Sequence, residues 1–305
     1  MTELWEFLFA VTLAAHLLCV NVAAGAPIIA LGCEWGDARG DKIARRAGRY
    51  LTLAGVVALV VGMVLGLLLI ALAWSPEYAT GLQFLQRKLI AGLGEALFSA
   101  VLYIVCLLLW RGDSSAAWLR GLRGLLGLLN GTNLLYHFPL LFLVLQRVLR
   151  DPPAAAISNA DFRRLALVGE IPALAVHVVL ASLAMAGVTL FGLALRRGRE
   201  GAPEAETSAI AVWGARVAVV PTLCQIPVGL WIMSSLSPSD NARLMGGSTT
   251  AFVCFIAGFA AAVYFLQQLA TVASGDTHRR TLIRSMGLSV LVVLLMTISW
   301  RFLRS

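Results

Sequence analysis

Charge is scarce in this chain. Asp, Glu, Lys and Arg make up only 13% of its 305 residues, against about 25% in a soluble domain. With 59% hydrophobic residues, no water-soluble fold of this length could hide the apolar surface, and a disordered chain is excluded as well. Cysteine is sparse too. Cys19, Cys33, Cys106, Cys224 and Cys254 include no C-x-x-C spacing, which argues against a zinc ribbon, a dithiol redox pair or covalent haem attachment. All but Cys33 lie inside apolar runs and read as small packing residues. There is no glycine-rich phosphate loop and no Glu-x-x-His pair. Glu3 and Glu6 stand where a cleavable signal would carry basic residues, and no A-x-A site closes a short apolar core, so no signal peptide is expected.

What is present is apolar sequence in long runs. They fall at about 5–32, 50–74, 87–110, 122–146, 164–195, 209–236, 248–273 and 281–302, and the mean hydropathy is +0.85. Each run can cross ~30 Å of hydrocarbon at ~1.5 Å per residue. Lipid offers no partner for a free amide, so each should be a helix. The expected fold is all-α: a polytopic membrane helical bundle of about eight transmembrane helices, forming one domain over 1–305.

Orientation follows the distribution of Lys and Arg. The loop after the first run holds Arg39, Lys42, Arg45, Arg46 and Arg49, and the loops after runs three, five and seven continue the excess. These loops should be cytoplasmic and both termini extracytoplasmic. The net charge of +8 then needs no nucleic acid, because anionic lipid accounts for it. Trp35, Trp74, Trp110 and Trp300 fall at run ends, as an interfacial belt does.

Function should lie with the few polar groups inside the runs, where they are expensive. Of four histidines, His278 sits in a basic loop, while His16, His137 and His177 lie within runs. With the expected topology all three fall between the midplane and the outer face, in one layer with Glu95 and Glu170. Three imidazoles at one depth suit a haem held between facing helices, or a proton path.

The residues around them resemble subunit I of cytochrome bd quinol oxidase, in a shortened form. AAHLLCVNVAAGAPIIALGCEW is similar to that family's first helix, GLGEALFSAVLYIV to its third, and EIPALAVHVVLASLAMAG to its fifth. NLLYHFP matches the spacing of the family's N-x-W-M-Q-x-P, with His137 in place of glutamine, and RLMGG is similar to its R-I-M-V-G. The resemblance implies that His177 and Met245 are the axial ligands of a low-spin haem b, with Arg243 near its propionates or a quinol. It implies that His16 binds a second haem, with Glu95 beside it as a proton-path carboxylate. It also implies a bacterial cytoplasmic (inner) membrane location and a second membrane subunit.

The departures are specific. The family's large outer loop between spans six and seven is reduced to SLSPSDNARL, and TISWRFLRS ends just after Trp300. The glutamate ligand and ninth helix that the family carries there are missing. His137 could instead pair with His16 as a six-coordinate site. The leading expectation is a haem b subunit of a respiratory electron-transfer complex, exchanging electrons with quinol or an extracytoplasmic c-type cytochrome. A terminal oxidase reducing O2 at a haem on His16 is a second reading. A haem-free proton-coupled transporter is a third, which broken helices or an inverted repeat would favour.

Overall fold

A backbone amide in lipid has no water to fall back on. Every long apolar run is accordingly helical in the computed structural model of the chain, which describes residues 3–111 and 116–304. Residues 112–115, part of the polar stretch after the third run, lie outside the described residues. Eight helices are long and apolar enough to cross a bilayer: α1 (Glu3–Ala38), α2 (Lys42–Leu72), α4 (Gln86–Leu109), α5 (Ala117–Arg150), α7 (Ile171–Arg199), α8 (Glu204–Ser235), α10 (Thr249–Ala273) and α11 (Arg279–Arg304). Three short ones, α3 (Pro76–Phe84), α6 (Asn159–Ala166) and α9 (Pro238–Ala242), lie in the connections. No strand occurs among the described residues. The chain is therefore the all-α, eight-span bundle expected.

An even number of crossings brings both ends of the chain to one face. Glu6 of α1 is ion-paired with Arg301 of α11 there, and α3, α6 and α9 lie on the same side. This is the terminal face; the other is the loop face. Helix α1 is the hub, packing on α2, α5, α7 and α11, while α7 packs on α8 and α10 on α11. Polar caps start the helices where the apolar pattern alone does not mark a boundary. Asp41 accepts from the amides of Ile43 and Ala44, and Ser75, Ser158, Ser237 and Ser248 each accept from a first-turn amide, satisfying donors that a helix start leaves free.

The fifth apolar run is two helices rather than one. The chain turns between α6 and α7 at Gly169, whose φ of +65° suits glycine. Pro172 then falls in the first turn of α7, where its missing N–H costs nothing. Glu170, expected inside the membrane, precedes α7 at the terminal face.

None of the interior prolines breaks its helix: α1 runs through Pro27, α5 through Pro139, and α8 through Pro221 and Pro227. Pro27 cannot donate to the carbonyl of Ala23, one turn earlier. The hydroxyl of Tyr103 on α4 donates to that carbonyl instead, at 2.5 Å. The tyrosine reaches it across Gly55 of α2, where a Cβ would collide with the phenol ring. Gly55→Ala should therefore push Tyr103 off the Ala23 carbonyl and destabilise the bundle by about 1–3 kcal/mol, the cost of an orphaned buried polar group. A lowered melting temperature in detergent checks this, and an unchanged one would refute the linkage.

Small residues set the remaining close approaches, as is usual between membrane helices. Gly25 of α1 lies against the Ser182 carbonyl of α7, and Gly187 of α7 faces Gly214 of α8. Beside the first of these, Ser182 Oγ donates to Asn21 Oδ1 at 2.9 Å, a polar tie between α1 and α7 inside the bundle.

Candidate functional site

The rings of His16 and His177 are held differently. His16 projects from α1 onto α2, and its Nδ1 lies 2.9 Å from the Gly62 carbonyl. A carbonyl only accepts, so the bond assigns the proton to Nδ1 and leaves the lone pair on Nε2. That is the tautomer in which imidazole binds a metal, with the backbone carbonyl orienting the ring. Gly66, one turn further along α2, gives the ring room: a Cβ there would stand 3.2 Å from His16 Cε1. His177 on α7 is half-buried, and its buried Nδ1 has no hydrogen-bond partner among the described residues.

Two ties fix the relative depth of these groups. Helices α1 and α7 both descend from the terminal face and meet at Asn21 and Ser182. His16 and His177 lie equally far along their helices from that contact, and so at one depth. Helix α4 descends as well, and Tyr103 ties it to Ala23. Glu95 and His16 each stand about two turns above that tie. Glu95 is half-buried, and its main-chain carbonyl accepts from Asn133 Nδ2 at 3.1 Å. The same amide donates to Ser99 Oγ at 2.9 Å. Asn133 thus locks α5 to α4 directly below Glu95.

The other expected ligands are placed otherwise. His137, one turn beyond Asn133 on α5, is exposed and meets Tyr136 edge-on with ring centroids 5.0 Å apart. No hydrogen bond or ring contact among the described residues joins it to His16. Met245 sits at a kink, Arg243–Gly247, between α9 and α10, where the backbone leaves helical geometry at Met245 and at Gly246, the latter with φ +126°. The Met245 side chain is 55% exposed. Arg243 Nη2 lies 3.4 Å from the Phe302 carbonyl near the end of α11. Among the described residues no three His, Cys, Asp or Glu side chains converge on one point.

Two ion-pair clusters built on arginines of α5 escaped the sequence reading. At the terminal face, Arg304 pairs with Glu170 at 2.7 Å, while Arg150 reaches Glu170 at 3.7 Å and Asp240 at 3.3 Å. Burial pushes the Glu170 carboxyl up. Hydrogen bonds from its own backbone amide and from Arg304, with the charges of Arg304 and Arg150, outweigh that and hold it below the usual carboxylate range. Glu170 is therefore an ion-pair anchor, not a lone intramembrane carboxylate.

The loop-face cluster is buried. Arg123 of α5 grips Glu34 of α1 with two bonds of 2.7 Å and reaches Asp37 at 3.0 Å. Its guanidinium lies 4.0 Å above the Trp110 ring. Trp110, expected at the lipid interface, is buried here; Trp35 and Trp74 are exposed, as an interfacial belt requires. The sequence signal was available in hindsight. Glu34 and Asp37, three apart, share a helix face, and Arg123 opens an apolar run without any local acidic partner.

Compared with solved structures, the chain is similar to the bd oxidase from Geobacillus thermodenitrificans. The TM-score is 0.75 over 98% of this chain and 84% of that one, at 13% sequence identity. No protein-family profile and no curated protein matches the chain. At that identity the likeness speaks to fold: this is a multi-pass membrane protein with the fold of a bd oxidase.

Proposed function

We propose that the chain is a haem b subunit of a respiratory electron-transfer complex, with His16 and His177 each supplying an axial ligand. The observation that carries this reading is the state of the two rings. They stand at one depth, one in the metal-binding tautomer and one with a buried nitrogen that no group among the described residues satisfies. Buried polar atoms are rarely left unpaired, and a cofactor nitrogen ligand is one resolution. With no convergent set of three donor side chains, iron would have to arrive already held in a macrocycle, needing only axial ligands from the chain.

The donor types available, imidazole and thioether, suit such a group. Met245 is the proposed second ligand opposite His177, and its thioether stands exposed on the turn before α10. His137 is the proposed partner of His16, and no hydrogen bond among the described residues ties its ring elsewhere. Arg243 is proposed to face propionates or a quinol headgroup, and Glu95 to hold a proton beside His16. Haem b, when bound, supplies one-electron chemistry; the chain orients it, excludes water and sets its potential through ligand identity.

Quinol and an extracytoplasmic c-type cytochrome or a second membrane subunit are the proposed exchange partners. The terminal face is proposed to lie outside, in a bacterial cytoplasmic membrane, a reading that the Lys and Arg asymmetry supports. Unbroken helices through Pro27, Pro221 and Pro227 give the haem-free transporter reading no support from discontinuous spans.

The test is a reduced-minus-oxidised spectrum of the purified chain. A b-type band is expected, and its absence from protein purified with haem available overturns the proposal.

A further inference from the structure

A narrow crevice runs between α1, α2, α4 and α5 on the loop-face side, away from the histidine layer. Glu34, Tyr103, Cys106, Trp110, Arg123 and Asn130 are among the side chains that line it. Two of these are almost wholly buried and incompletely bonded. Arg123 is 3% exposed and Asn130 1%. Glu34 and Asp37 occupy Nε and Nη2 of Arg123, leaving Nη1 without a partner among the described residues. Asn130 Oδ1 is likewise unpartnered. One orphan is a donor and the other an acceptor.

We propose that this crevice is a built site for ordered internal water, which accepts from Arg123 Nη1 and donates to Asn130 Oδ1. Water suits both atoms because it donates and accepts at once. A metal cation could meet only the asparagine oxygen and would be repelled by the guanidinium. An acyl chain could meet neither. The free volume, about 20 Å³, exceeds the ~10–15 Å³ that a single water needs. Tyr103 and Thr52 spend their protons on the carbonyls of Ala23 and Gly48, so their oxygens remain open as acceptors for further water protons. Gly127 keeps the α1–α5 gap narrow, since a Cβ there would stand 3.2 Å from the Pro27 carbonyl. The site does not depend on haem being bound.

Pulsed hydroxyl-radical footprinting of the intact chain in detergent tests it, because radicals form from the water next to a side chain. Cys106 lines the crevice and Cys33 does not, although both are buried, at 6% and 1% exposure. Cys106 should be oxidised several-fold faster than Cys33. In Asn130→Leu, which removes the acceptor and fills the space, the Cys106 rate should fall to that of Cys33. Should that variant not fold, a high-resolution density map of the natural chain decides, with a peak within hydrogen-bond distance of Arg123 Nη1 and Asn130 Oδ1 expected. Equal cysteine rates, an empty crevice, or an anomalous peak there after rubidium exchange would each overturn the assignment.

Discussion

Arg123→Ala is expected to be the most destabilising single substitution outside the histidine layer. It leaves Glu34 and Asp37 buried at the α1–α5 contact with no countercharge, and it strips the cation from the face of Trp110. Breaking a buried pair from one side costs about 3–5 kcal/mol, because the surviving charge stays desolvated. Arg123→Lys keeps the charge but cannot reproduce the paired bonds to Glu34 or the flat stacking on Trp110, so it should fall between natural chain and alanine variant. Glu34→Gln should cost less than Arg123→Ala, since Asp37 still balances the guanidinium. Arg196→Ala provides the control: that arginine pairs with Glu200 at an exposed position, where pairs contribute about 0–1 kcal/mol. Denaturation midpoints in one detergent rank the four. If Arg123→Ala melted with Arg196→Ala, the buried cluster would not hold α1 to α5.

That cluster also shows why parts of the bundle could be read from the sequence and others could not. Hydropathy reports whether a segment can live in lipid, and all eight crossings were legible because each is long and nearly uncharged. Hydropathy does not report which charged residues at the run ends fold back on one another. Glu34 and Asp37 read as a polar loop because the apolar run fades before them. In the structure α1 continues to Ala38 and carries both against Arg123. The same limit hid the turn at Gly169. Leu165, Leu167 and Val168 keep the local composition apolar, while the backbone reverses through a glycine and a proline. Conversely, the histidines stood out as candidates because a charge-poor sequence makes each intramembrane imidazole conspicuous. Their geometry was not legible: the Gly62 carbonyl that orients His16 belongs to a glycine with no polar side chain to notice. Met245 was legible only as part of RLMGG, and the kink on which it sits depends on Gly246 at positive φ, which composition does not reveal.

His177→Ala is expected to abolish about half of the b-type absorbance of the purified chain if two haems are held, and all of it if one is. Far-ultraviolet circular dichroism should remain unchanged, because the buried Nδ1 makes no hydrogen bond among the described residues whose loss would loosen α7. The remaining absorbance should depend on His16. His16→Ala removes a ligand whose orientation rests on the Gly62 carbonyl, so the two substitutions together should leave none. Redox titration then separates the sites. A thioether opposite His177 favours the reduced form relative to two imidazoles, so the component lost in His177→Ala should be the one of higher potential. Met245→Ala should lower that potential or open the position to carbon monoxide, while His16 paired with His137 should resist carbon monoxide until His137→Ala is made. Carbon monoxide binding at the His16 site of the natural chain would instead favour an open coordination position and oxygen chemistry. Full absorbance in the double variant would mean that neither ring binds iron, and the shared depth of His16 and His177 would then be a matter of packing alone.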